Sequence, residues 1–451
     1  MRIVWRATAG HGRQVVLAQS PMPGTERLVA HPSLVTIGER LVGKPSPMTD
    51  TPRADTKRPT RRVIVVGSGI GGLAAAIALE RSRYEVLVLE QAPELTEVGA
   101  GLTLWPNGVR ALAALGLGEV RDFGSVQGAG GVRIPSGRWL SRFDMSQIGD
   151  RFGEPVLGVH RADLVRILLE QALQVSEIRL GVTVQRVRQD SSGVTAVLAD
   201  GSEARADIVV GADGIDSVVR RHLYPDSRSR YAGFSAWRAV IQTDGPAPGS
   251  QGETMGIGQL FGFLPISRQR IYWFAAARLP EQRSYQGGPH REELIRRFGE
   301  WHDPIPSLVR DTPEEEILCH PIHEVPSLPA WSVRRVTLLG DAAHAMTPNL
   351  GQGACQALED AVALGETVTT ESDPVAALAA YQRARLRRAT GIAARSRLTS
   401  RVALANHPLT AALRNLVIGL APSGALTRGL NPILSWEPPL APADSSTPNK
   451  A

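Results

Sequence analysis

The sequence predicts an α/β fold: a parallel-sheet domain built on a βαβ unit, interrupted by an inserted antiparallel sheet and followed by C-terminal helices. Three observations carry that prediction. The β-branched run Val63-Ile64-Val65-Val66 leads at once into glycines 67, 69 and 72 and then an Ala/Leu-rich stretch. Residues 231–285 alternate as antiparallel strands do. Beyond residue 353 the chain turns to long Ala-, Leu- and Arg-rich segments of helical character.

Val63 to Val66 reads as a strand buried on both faces. Leu73 to Arg81 reads as helix, and Val86 to Leu89 as a second strand ending in Glu90. In G-x-G-x-x-G spacing, Gly67 permits the tight turn and Gly69 lets the backbone approach a pyrophosphate. Gly72 lets the helix pack close, and the helix start offers free N–H groups to phosphate. Glu90 follows Gly67 by 23 residues, where an acid meets ribose hydroxyls. The unit is a Rossmann-type dinucleotide site that does not itself separate FAD from NAD.

At 451 residues the chain suits two or three domains with a large core. Its 43% hydrophobic and 21% charged content is ordinary for a globular protein, and no apolar run is long enough for a bilayer span. Cys319 and Cys355 alone exclude a disulfide scaffold and a cysteine-based zinc site, so a cytoplasmic setting is expected. The formal charge is +6, but residues 1–62 carry eleven Arg/Lys against four acids, leaving the remainder near −1. No nucleic-acid face is implied.

Residues 1–60 have little periodicity and read as a disordered leader, a transit-like peptide or translation from an upstream start, with Met48 the compact alternative. The glycines of Gly99 to Gly108 mark close backbone approach, Pro106-Asn107-Gly108 a helix start, and Trp105 either a stacking or a packed residue. Residues 124–158 read as strands of the inserted sheet, and Arg161 begins a helix where it faces a phosphate or lies on the surface. Val182 to Val187 and Val194 to Leu198 form a hairpin-like pair. Ala206 to Gly211 is a buried strand, and Asp213-Gly214 a turn in which Asp213 caps or meets a ligand.

Strands are expected over Tyr231 to Gln242, Met255 to Leu264 and Arg270 to Ala276, with clustered aromatics forming a binding wall or a core. Arg291 to Gly299 is helical. Val336 to Leu339 runs into Gly340-Asp341, a loop, and Gly351-Gln352-Gly353 opening a helix. His344 is catalytic or loop-stabilising, with the latter commoner, and Cys355 is packed. Tyr381 to Arg401 is a helix with a solvated arginine face, and the Pro-rich tail ends irregularly.

The ordered set of G-x-G-x-x-G with Glu90, Gly211-Ala212-Asp213-Gly214 and Gly340-Asp341…Pro348…Gly351-Gln352-Gly353 resembles the FAD-dependent monooxygenases of the para-hydroxybenzoate hydroxylase type. Leu104-Trp105-Pro106-Asn107-Gly108 and Arg230 to Phe234 are similar to the branch holding urate, salicylate and 3-hydroxybenzoate hydroxylases and zeaxanthin epoxidase. The resemblance covers about residues 62–400.

It implies a Rossmann-type FAD-binding domain in three parts (61–130, 159–225, 331–370), a substrate domain in two (131–158, 226–330), C-terminal helices over 371–435 and a disordered tail over 436–451. The implied FAD contacts are Gly67, Gly69, Gly71, Gly72, Glu90, Gln91, Thr103, Arg161 at the pyrophosphate, Val184 near the adenine, Asp213, Gly214, Asp341 at the ribityl chain, Pro348, and Gly351, Gln352, Gly353 and Ala354 at the flavin. Arg220 is implied to orient substrate and Tyr231 to hydrogen-bond it. NADH or NADPH would reduce the flavin without a second Rossmann domain. O2 would form a C4a-hydroperoxide that hydroxylates an electron-rich ring. Ser235-Ala236-Trp237-Arg238 departs from the urate members and sits nearer the hydroxybenzoate ones. A small aromatic or heteroaromatic substrate is therefore expected, on a monomer or homodimer. The rivals are an alkene epoxidase, a non-oxygenating flavin oxidoreductase and a non-catalytic binding module on the same fold.

Overall fold

The structure, a computed structural model, describes residues 2–7, 13–18, 61–80, 82, 84–95, 99–243, 251–267, 269–281, 289–422 and 428–439. Its centre is a six-stranded sheet in the order Glu177–Leu180, Tyr84–Glu90, Arg61–Val66, Ile208–Gly211, Val336–Leu338, Ser332–Val333. All pairs are parallel except the last. Val63 to Val66 and Ile208 to Val210 are buried, as β-branched strands layered on both faces must be. Helices Ile70–Glu80, Arg161–Val175 and Gly353–Thr370 form one layer. A meander of Val184–Gln189, Val194–Leu198 and Glu203–Ala206 packs on the central strands as another. The expected hairpin over 182–198 is thus the first two strands of three.

The second sheet has seven strands, in the order Leu318–Glu324, Arg230–Gln242, Arg270–Ala277, Gln259–Ile266, Gln251–Met255, Ala129–Arg133, Trp139–Asp144. Only Gln251–Met255 and Ala129–Arg133 run parallel within it. A third sheet joins Gly101–Leu104, Leu157–His160 and Ser125–Val126 between the two. No helix among the described residues is long and apolar enough to cross a membrane.

Four expectations are corrected. Met255 to Leu264 is not one strand: Gly256-Ile257-Gly258 turns the chain, with Gly258 at φ +66°, so Gln251–Met255 and Gln259–Ile266 pair as a hairpin. The segment 124–158 is not all strand, since Ser146–Phe152 is a helix closed by Gly153 at φ +72°. The arginine-rich helix, Pro374–Ala403, is not merely solvated, for Arg385 is buried on it. In the leader, Arg2–Ala7 and Arg13–Ala18 pair antiparallel, and at the other end Trp436 packs against the core. The rest of 1–60 and of the tail lies outside the described residues.

Candidate active site

A cavity of about 520 Å³ separates the glycine turns of the parallel sheet from one face of the seven-stranded sheet. The period of two along each strand builds that wall. Phe234, Ala236 and Arg238 from one strand and Tyr272 and Phe274 from the next face the cavity. Their sequence neighbours Trp237, Trp273, Phe261 and Phe263 turn the other way, into a core with Leu294, Phe298 and Ile305. The aromatic cluster is therefore both wall and core, divided by strand parity.

At the first anchor, a Cβ on Gly67 (φ +100°) would lie 2.5 Å from the Ala212 carbonyl oxygen, and one on Gly72 only 2.0 Å from the Gly67 carbonyl oxygen. A Cβ on Gly71 would meet the Leu339 side chain at 2.7 Å. These three glycines are demanded by the protein's own packing. Gly69 differs: nothing stands within 4 Å of its Cβ position, and it lines the cavity beside the helix start. Glu90 accepts from Ser68 N and Oγ, both at 2.8 Å, and from Ala92 N at 2.9 Å, so it holds the glycine turn. Glu90, exposed Gln91 and buried Val184 lie outside the cavity lining.

At the second anchor Gly214 lines the cavity but Asp213 does not. Asp213 accepts from Ser217 Oγ at 2.5 Å, Val218 N at 2.7 Å and Val219 N at 3.2 Å, capping helix Val218–Leu223. Burial pushes its carboxyl upward in pKa, against those hydrogen bonds. Of the two expected roles for Asp213, cap or ligand contact, the hydrogen bonds are those of a cap.

The third anchor gives the cavity its charge. Asp341 and Arg161 are exposed to it and make no side-chain hydrogen bond or ion pair among the described residues. Thr103, Pro348, Gly351, Gln352, Gly353 and Ala354 line it too. Helix Gly353–Thr370 starts there, so its first amides, which have no partner within the helix, meet the cavity. The Gln352 side chain turns inward and accepts from Asn107 Nδ2 at 2.9 Å, leaving only its backbone to face a ligand. His344 Nε2 is bonded to Asp360 Oδ2 at 2.6 Å beneath the Trp331 ring, a loop-stabilising role. Cys355 is packed, and burial pushes its thiol up to about 12.

Arg220 and Tyr231 are brought together, but not at this cavity. Arg220 is 1% exposed and donates to the carbonyl oxygens of Ser227, Ala342 and Ile215. Tyr231 donates to the Leu279 carbonyl oxygen at 2.6 Å. Both border a separate polar cleft with Asp216, Glu281 and His323. The expectation that they orient substrate finds no support at this cavity, which neither lines: Arg220 donates to backbone carbonyls, and the Tyr231 hydroxyl also lies 3.2 Å from Ser235 Oγ. The residues that sequence reasoning passed over are Glu253, Leu260 and Leu264 on the wall. Strand parity groups them onto one face, yet nothing in the sequence tells which face fronts the cavity.

The group implied by the fold can be tested against these residues. Room beside Gly69 and Gly353, an unpaired guanidinium, an unpaired carboxylate and a helix start suit a pyrophosphate, sugar hydroxyls and an anionic ring edge, and so fit FAD. An interrupted parallel sheet whose glycine turns face an apolar sheet wall defines a flavoprotein monooxygenase of the para-hydroxybenzoate hydroxylase type. The chain belongs to the FAD binding domain family, which matches residues 60–396. It is 39% identical to aurachin C monooxygenase/isomerase of Stigmatella aurantiaca over 339 residues, covering 74% of this chain and 87% of that protein. With FAD-dependent urate hydroxylase of Klebsiella pneumoniae it shares 35% identity over 341 residues, 74% of this chain and 88% of that one. The crystal structure of Klebsiella pneumoniae HpxO complexed with FAD and uric acid superposes with a TM-score of 0.77 at 30% identity, covering 83% of this chain and 96% of that one.

Proposed function

We propose that this chain uses NADH or NADPH, FAD and O2 to hydroxylate a small planar aromatic or heteroaromatic substrate. The observation that carries the reading is the aromatic wall standing opposite Asp341 and the Gly351–Ala354 helix start across one cavity. A flat ring laid on Phe274 faces the flavin-binding turns there. The names of the relatives, urate hydroxylase above all, support a heteroaromatic substrate.

Bound FAD supplies the redox chemistry, taking electrons from the nicotinamide and activating O2 for transfer of one oxygen atom. The chain's own residues bind and shield. Arg161 pairs with the pyrophosphate, Asp341 accepts from the ribityl hydroxyls, and the amides of Gly351 to Ala354 stabilise negative charge on the ring edge. Phe234, Leu260, Leu264 and Phe274 keep water from the reacting centre. In this reading residues 61–130, 159–225 and 331–370 hold the cofactor, and 131–158 and 226–330 the substrate. The protein acts in the cytoplasm as a monomer or homodimer.

The test is NAD(P)H oxidation by the FAD-loaded protein across a panel of aromatic compounds under isotope-labelled O2. A hydroxylated, labelled product is expected. An epoxide, or oxidation without label in any product, would replace this reading.

A further inference from the structure

One row of residues crosses four strands of the cavity wall. Glu253 pairs with Gly262, Gly262 with Phe274, and Phe274 with Arg238. Gly262 contributes no side chain, and the Phe274 ring covers it, with Cζ 2.3 Å from where a Cβ would stand. The row therefore has a carboxyl at one end, a guanidinium at the other and a phenyl floor between them. Three strand spacings put the two ends about 14 Å apart at the backbone, too far for an ion pair. Both line the cavity, and neither side chain makes a hydrogen bond or ion pair among the described residues. A carboxyl set into an apolar wall without a partner is costly unless a ligand supplies one.

We propose that Glu253 recognises the substrate: its carboxylate accepts a hydrogen bond from, and takes the proton of, an acidic N–H or O–H on a planar ring stacked on Phe274. This deepens the monooxygenase reading and rests on it. The substrate class is an aromatic ring with an ionisable N–H or O–H on one side, and Arg238 suits a carbonyl oxygen or oxyanion on the other. In the step the substrate N–H or O–H bond breaks, the proton bonds to a Glu253 oxygen, and the electron pair stays on the ring. Nothing is oxidised, and the ring becomes the stronger nucleophile toward electrophilic oxygen.

The surroundings agree with that role. Burial alone raises the Glu253 carboxyl to about 7, where a base both takes and returns a proton near neutrality. The other ionisable groups on the cavity are Arg161, Arg238, Tyr272 and Asp341. On the adjoining elements, Arg133 lies over the Trp139 ring, and Arg414 donates to the Ala403 and Gly256 carbonyl oxygens. None of them neutralises the carboxyl.

The experiment measures binding to the FAD-loaded protein of two matched pairs, 4-quinolone against its N-methyl derivative and 3-hydroxybenzoate against 3-methoxybenzoate. The wild type is expected to prefer the unmethylated member of at least one pair by about tenfold or more. Glu253→Gln should lose that preference while keeping its flavin content, and Glu253→Asp should keep part of it. Equal discrimination by the Gln variant, or no discrimination by the wild type in either pair, overturns the proposal. Failure of the FAD-loaded protein to couple NAD(P)H oxidation to oxygen insertion would count against the monooxygenase reading instead, and leaves the pair comparison standing as a separate readout.

Discussion

Arg385 Nε donates to Asp360 Oδ1 at 2.7 Å, with the two side chains 1% and 0% exposed. The same guanidinium pairs with Glu359, the preceding residue on the Gly353–Thr370 helix. From there the two acids reach the turns around the cavity. Asp360 Oδ2 accepts from Gly340 N at 3.1 Å and is bonded to His344, fixing the turn that presents Asp341. Glu359 Oε1 accepts from Asn107 Nδ2 at 2.7 Å, fixing the helix that follows Trp105. A buried ionic cluster thus sets the distance between two loops that line the site.

Removing Arg385 leaves Glu359 with Arg388 alone and Asp360 with His344 alone as ionic partners in a buried cluster. Arg385→Met should lose roughly 3–5 kcal/mol of stability in urea titration. Arg385→Lys should recover only part, because one ammonium cannot match the fork. Burial works to raise the Asp360 carboxyl, but His344 and Arg385 outweigh it and hold the group below its ordinary value. That contribution is present above about pH 4 and is lost as the pH falls further. A variant as stable as the wild type would show the cluster to be dispensable.

The glycines of the first turn should separate into two kinds. Gly72→Ala drives a Cβ to 2.0 Å from backbone and should unfold or precipitate the protein. Gly69→Ala meets nothing within 4 Å and should fold with an unchanged melting temperature while its flavin affinity drops. Circular dichroism melts beside FAD titrations distinguish the two. Undiminished FAD binding by the Gly69 variant would move the pyrophosphate elsewhere.

Arg161 and Asp341 should matter for the cofactor and not for the fold, since neither bonds to another described side chain. Arg161→Ala and Asp341→Ala should each weaken FAD binding by about tenfold to a hundredfold, the worth of one charge-assisted hydrogen bond. Their urea midpoints without cofactor should match the wild type. Flavin retained on gel filtration as in the wild type would remove these two from the site.

Arg220 gives the opposite expectation. Its guanidinium serves three backbone carbonyls in a buried position, so Arg220→Met should cost roughly 2–4 kcal/mol of stability. Substrate affinity of the remaining folded fraction should be unchanged, as read by titration under stabilising conditions. A selective loss of substrate binding with unaltered stability would restore it to the active site.

Glu253 should make stability fall with rising pH. Its carboxyl is raised from 4.5 to about 7 by burial, so the folded state holds the proton more tightly than the unfolded one. The associated stability is complete below about pH 4 and is lost as the pH rises through 7. Glu253→Gln should therefore match the wild type near pH 4 and exceed it by roughly 2–3 kcal/mol near pH 8. Equal urea midpoints at both pH values would contradict the burial.

Much of the fold was legible because its signals are local. Val63 to Val66, the glycine spacing and Glu90 fall within 30 residues, and strand, turn and helix follow from neighbouring side chains. The same holds for Gly340 to Gly353. What misled was any side chain whose partner its own residue type does not announce, whether near or remote in sequence. Asp213 looked able to meet a ligand and is occupied by the Ser217 hydroxyl and by the amides five and six residues on. Arg220 looked free and is engaged by Ala342, which lies 122 residues away. Arg385 belonged to a helix face that composition alone would give to water.

The sequence by itself determined the βαβ unit, the two glycine-bearing strand ends and the alternation of the second sheet, since each depends on interactions between near neighbours. The tertiary structure alone decided which face of that sheet meets the cavity, and hence that Glu253, Phe274 and Arg238 share it. Strand parity fixes which residues go together. Only the docking of one sheet against another chooses the set that faces the flavin turns, because the packing energy that selects it is summed over residues far apart in the chain.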